Sequence, residues 1–88
     1  MKKAGELLAE RIKQDGMSQM KLADEVGVSR AMLSAIATGK AALPVAVAAR
    51  IGQVLGLGFG EELLIAQAGE RKARDLALYN ELVKERQQ

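Results

Sequence analysis

Apolar residues recur along this chain at three- and four-residue intervals, and glycines interrupt them. Ala4, Leu8 and Ile12 form an i, i+4 row with Leu7 beside it. Lys3, Glu6, Glu10 and Lys13 fall mostly on the other side, so the pattern predicts an amphipathic helix from Lys3 to Gln14. Gly16 ends it where a left-handed residue suits a helix terminus. Ser18 is a suitable N-cap for a second helix reaching Val26, because its hydroxyl can accept from a free first-turn amide. Leu22 and Val26 share one face of that helix, with Ala23 beside them. Gly27 makes a tight turn, Ser29 repeats the cap, and a third helix runs to about Thr38 before Gly39. Leu33 and Ile36 give it an apolar face. Leu22, Val26, Val28, Leu33 and Ile36 are expected in the core. Helices this short do not hold alone and need a platform of further helices.

After a connector, Lys40–Leu43, Pro44 sits where a proline is tolerated, in the first turn of a fourth helix reaching Leu55. Val47, Ile51, Val54 and Leu55 form its apolar face with Ala48 beside them. Arg50 is its only charge, so it is expected to be the most buried helix. Gly56, Gly58 and Gly60 around Leu57 and Phe59 read as a flexible turn. Beyond Gly60 the pattern is helical again. Gly69, which costs about 1 kcal/mol relative to alanine inside a helix, leaves open one long helix or two. No strand pattern and no internal repeat are present. The fold class is therefore all-α, with five helices, or six if the last divides. Residues 1–60 form one expected unit and residues 61–88 a C-terminal helical extension that packs on it or dimerises.

Composition narrows the function. With 88 residues, one domain is expected, and 49% hydrophobic content argues against disorder. One Phe and one Tyr leave an aliphatic core and nearly exclude recognition by stacking on single-stranded bases. With no cysteine and no histidine, disulfides, zinc fingers and histidine-based catalysis are all out. The carboxylate pairs Asp24-Glu25 and Glu61-Glu62 are adjacent, and neighbours on a helix point about 100° apart. Gly56–Gly60 lacks the Lys-Ser/Thr that follows a phosphate-cradling loop. The chain is expected not to be an enzyme, and it implies neither a cofactor nor a metal. Its net charge of +2 is a slight push toward nucleic acid. No stretch approaches the roughly 18 apolar residues of a membrane span, and no signal peptide is evident. A cytoplasmic, nucleoid-associated protein is the expectation.

The polar residues Ser29, Arg30, Ser34, Thr38 and Lys40 crowd around the third helix, an arrangement suited to docking on DNA. Met17 and Met20 read as gap-fillers. For Met32, groove contact and partial burial stand level. Lys2, Lys3 and Lys13 read as plain surface, and Lys21 is a slightly better candidate for DNA. From Glu70 to Arg86 the chain carries five positive and four negative residues, so it is no polybasic arm. Its apolar row, Leu76, Leu78, Tyr79, Leu82 and Val83, fits either packing on the bundle or a dimer contact, the latter through Leu76, Tyr79, Leu82 and Val83.

The stretch Gln19–Lys40, QMKLADEVGVSRAMLSAIATGK, resembles the helix-turn-helix of the Cro and phage-repressor class, the XRE family. Leu22-Ala23 matches its Leu-Ala, Gly27-Val28-Ser29 its turn, Leu33-Ser34 and Ile36 its recognition helix, and Gly39-Lys40 the end of that helix. The likeness covers roughly residues 5–58. It implies a lambda-repressor-like helix-turn-helix bundle that binds double-stranded DNA as a homodimer on a near-palindromic operator and regulates transcription, as a repressor of the kind phages and other mobile elements encode. Carried over by position, Gln19 would contact phosphate or an edge base, and Ser29 would cap the third helix and touch phosphate. Arg30, Ala31, Met32 and Ala35 would face the major groove, while Ser34 and Lys40 would contact the backbone. Ala37-Thr38 stand where many members carry an acidic residue and asparagine. Two other readings compete: an antitoxin that binds DNA and a protein toxin, and a structural helical adaptor.

Overall fold

A computed structural model describes residues 2–87, with side chains through Lys84; Met1 and Gln88, the outer ends of the two expected units, lie outside the described residues. Five helices follow one another: α1 (Ala4–Gln14), α2 (Gln19–Val26), α3 (Arg30–Ala37), α4 (Val45–Leu55) and α5 (Leu57–Gln87). The described residues contain no strand.

The punctuation works as the sequence predicts. Ser18 Oγ accepts from Lys21 N at 3.1 Å and Ser29 Oγ accepts from Met32 N at 3.0 Å. Each hydroxyl satisfies an amide that has no partner inside its helix. Gly27 closes α2 in the left-handed region at φ 81°. Its amide and that of Val28 both donate to Ala23 O, at 2.9 and 3.0 Å, which locks the turn.

The core is aliphatic and drawn from every helix: Leu8 and Ile12 of α1, Leu22 and Val26 of α2, Leu33 and Ile36 of α3, Val47 and Ile51 of α4, and Leu63 of α5. α4 lies deepest, with five of its 11 residues buried, as its single charge leads one to expect. Val28 is half-buried against this core rather than inside it. Met17 packs on the core, but Met20 is 55% exposed. The gap-filling reading of Met20 is therefore overturned: it stands two residues before Leu22, about 160° around α2 from it.

The largest departure is at Gly56–Gly60. This is not a flexible turn. Only Gly56 lies outside a helix, at φ 120°, and α5 begins at the next residue. Gly60 is buried because α5 crosses α4 there: a Cβ on Gly60 would lie 2.7 Å from Ala48 O and 3.1 Å from Gly52 Cα. Gly60 is a close-approach residue, and there propensity gives way to packing. Gly69 likewise does not break α5, which runs as one helix of 31 residues. At 1.5 Å per residue such a helix is about 46 Å long, and it accounts for the 53 × 24 × 22 Å extents of the molecule.

Contacts distant in sequence fasten the bundle. Arg11 Nη2 donates to Leu55 O at 2.6 Å, its Nε pairs with Asp15 at 3.1 Å, and its guanidinium stacks 4.8 Å from the Phe59 ring centroid. One side chain thus caps the end of α4 and covers the start of α5. Leu43, in the connector, is 3% exposed, a burial that contributes about 1.5–3 kcal/mol. Lys3 offers α1 no side-chain cap. Glu70 supplies one from α5, its Oε1 accepting from Ala4 N at 3.1 Å.

Candidate nucleic-acid interface

The pair α2–α3 presents an apolar inner side and a polar outer side. Leu22 and Leu33 are fully buried, and Ala23, Val26 and Ile36 nearly so. That burial fixes the rotation of α3 about its own axis. Residues at the complementary positions must then point outward, because side chains three and four apart share a face.

None of the ten residues expected to meet DNA is buried. Lys21, Ser29, Arg30, Ala31, Thr38 and Lys40 are exposed, and Gln19, Met32, Ser34 and Ala35 are half-buried. Met32 packs partly against the core and keeps part of its surface exposed. Arg30, Lys21 and Lys40 take part in neither of the ion pairs found among the described residues, which join Lys2 to Glu10 and Arg11 to Asp15.

The two hydroxyls beside α3 are not equivalent. Ser29 Oγ accepts from Met32 N, which leaves its own proton free to donate outward. Thr38 Oγ1 instead donates back into its helix, to Ser34 O at 2.9 Å and Ala35 O at 3.3 Å. Its proton is spent, and only lone pairs remain for anything outside. The α3 N-terminus also carries unpaired amides and the positive end of the helix dipole, both suited to an anion. Two of its C-terminal carbonyls are occupied by the following loop: Ala35 O accepts from Lys40 N at 2.8 Å and from Ala41 N at 3.1 Å, and Ile36 O from Gly39 N at 3.2 Å.

Two features near this pair are illegible in the sequence. A Cβ on Gly27 would lie 3.6 Å from Arg50 Nη1, so the one charge of α4 sits beside the α2–α3 turn. Gly5 meets the end of α3 so closely that a Cβ there would lie 2.6 Å from Ala37 O and 2.7 Å from Ile36 O. Both depend on helix crossings between segments far apart in the chain, which periodicity does not encode.

Leu76, Tyr79, Leu82 and Val83 do not pack on the bundle. They are 53%, 64%, 53% and 36% exposed, and every described side chain from Arg71 to Lys84 is exposed. The last part of α5 therefore extends beyond the core. No helix among the described residues is long and apolar enough to cross a membrane.

No curated protein and no solved structure gives a significant match to this chain. A helix-turn-helix family model matches residues 8–61, from the middle of α1 into the first turns of α5. The match spans more than half of the chain and contains the whole of α2, α3 and α4. With the capped α2–Gly27–α3 geometry, it makes this chain a member of the XRE-type helix-turn-helix family, a DNA-binding transcription regulator.

Proposed function

We propose that this regulator is a repressor of the phage or mobile-element kind that occupies its operator as a homodimer, with α3 of each copy in the major groove. The observation that carries the reading is the start of α3. Ser29, Arg30 and Ala31 stand exposed at the N-terminus of a helix that Leu33 and Ile36 lock into the core. Arg30 reads guanine through O6 and N7, and Ala31, Met32 and Ala35 offer apolar contact to thymine methyls. Ser29 donates its free proton to phosphate. Gln19 and Lys21 at the start of α2, and Ser34, Thr38 and Lys40 along α3 and after it, lie on the backbone, Thr38 contributing least because its proton is already used. With one long polar side chain on the reading face, sequence preference rests in part on DNA shape. Repression needs nothing more than occupancy of the operator.

The homodimer is supported by α5. Residues 71–84 find no cover in their own chain, and an isolated helical segment of that length is marginal in water. A second copy covering Leu76, Tyr79, Leu82 and Val83 removes that cost. The same uncovered row favours a second reading, an antitoxin whose tail holds a protein toxin.

Selection of bound duplexes from a random pool tests the operator reading. Enrichment of a near-palindrome with half-site centres about 34 Å apart is the expected result; no enrichment refutes it. The mass of the purified chain in solution separates the two roles of α5. A dimer supports the first, and a monomer that assembles only with a co-purifying protein supports the second.

A further inference from the structure

Positive charge on this molecule is concentrated away from the reading face of α3. A cleft opens where the start of α1, the end of α3 and the middle of α5 come together. Lys2 and Lys3 line it from before α1, Lys40 from after α3, and Arg71 and Arg74 from α5. Its carboxylates are Glu6 and Glu70. Five cations against two carboxylates leave three positive charges in the cleft; the whole chain nets +2, so everything outside it nets one negative charge. Glu70 is also engaged, accepting from Ala4 N at 3.1 Å. Lys2 pairs with Glu10 at 2.8 Å, but both side chains are about half exposed, and such a pair is readily exchanged for another anion. Arg71 and Arg74 lie one turn apart at i, i+3, so both guanidinium groups reach the same side of α5.

The cleft adjoins the proposed operator site. Thr38, Gly39 and Lys40 form one of its walls. The negative end of α3, which would repel an anion there, is blunted by the amides of Gly39, Lys40 and Ala41. Gly5 brings the start of α1 against that end with no side chain between them.

We propose that this cleft binds the phosphate backbone of duplex DNA flanking the stretch that α3 reads, so that Lys3, Arg71 and Arg74 lengthen the footprint beyond the helix-turn-helix. The inference rests on the operator-binding reading and adds to it a second, sequence-independent contact. It gives α5 two roles along its length: phosphate contact at Arg71 and Arg74, then assembly beyond Asp75.

The test is the salt dependence of full-chain binding to a random-sequence duplex several turns long. Each phosphate that is no longer neutralised lowers the slope of log affinity against log salt by about 0.9. The double variant Arg71→Gln/Arg74→Gln is expected to retain its circular dichroism spectrum and to lower that slope by about 1.8. The control, Lys13→Gln/Lys84→Gln, removes the same charge outside the cleft and is expected to keep the wild-type slope. An unchanged slope in the Arg71/Arg74 variant overturns the cleft while leaving operator binding intact. An equal fall in both variants also overturns it, because net charge would then account for the effect. Absence of salt-dependent binding by the wild-type chain removes the operator reading and the cleft together.

Discussion

The side-chain amide of Gln67 grips Leu43 at both ends of its backbone. Oε1 accepts from Leu43 N at 2.6 Å, and Nε2 donates to Leu43 O at 2.9 Å. A residue of α5 thereby does for the connector what a neighbouring strand would do, and Leu43 can be buried without leaving its peptide groups unpaired. Replacing Gln67 with leucine keeps much of the volume and removes both partners. A loss of about 1–3 kcal/mol follows for each polar group left unsatisfied, read as a lower melting temperature. A melting curve equal to wild type would show that water substitutes for the amide.

The glycines before and inside α5 separate into two kinds. Gly58 has nothing within 4 Å of an added Cβ and is helical, so Gly58→Ala should stabilise by about 0.4–1 kcal/mol through the unfolded chain. Gly60→Ala places its Cβ 2.7 Å from Ala48 O. It should destabilise by about 1–3 kcal/mol as α5 is pushed off α4. Chemical denaturation of the two variants side by side checks the opposite signs; two changes of the same sign would contradict the crossing.

Arg30→Ala removes the one long hydrogen-bonding side chain from the exposed start of α3. Binding to the selected operator should weaken by about 1–3 kcal/mol, with a smaller effect on random DNA. Fluorescence anisotropy with both duplexes measures the ratio. Equal losses on the two would assign Arg30 to phosphate rather than to a base.

Cutting the chain after Gly69 tests the tail poorly, because it removes Glu70, the carboxylate that caps α1. Truncation after Asp75 keeps Glu70, Arg71 and Arg74 and removes Leu76, Tyr79, Leu82 and Val83. The truncated chain should remain helical and fall from dimer to monomer in light scattering. A dimer of unchanged stability would place the interface elsewhere on the bundle.

The sequence alone determined the local grammar of this protein. Helix periodicity, the two serine caps and the left-handed positions at Gly16 and Gly27 depend on neighbours within four residues, and each sits in the structure as read. The recognition pair was legible for that reason: Leu22, Leu33 and Ile36 define what is inside, Ala31, Ser34 and Ala35 follow as what is outside, and Ser29 and Arg30 mark the capped start of the helix. Tertiary structure decided the rest. Gly56–Gly60 reads as a flexible turn because glycine is a poor helix former, but close approach of α5 to α4 required Gly60 and carried the helix through it. Met20 reads as a gap-filler because methionine commonly serves as one, and the rotation of α2 left it in solvent. The grip of Gln67 on Leu43, the place of Arg50 beside Gly27 and the shared cleft of Lys3, Lys40, Arg71 and Arg74 join residues that are distant in the chain. Such contacts are set by how helices cross, and crossing is a property of the packed core rather than of any one segment's periodicity.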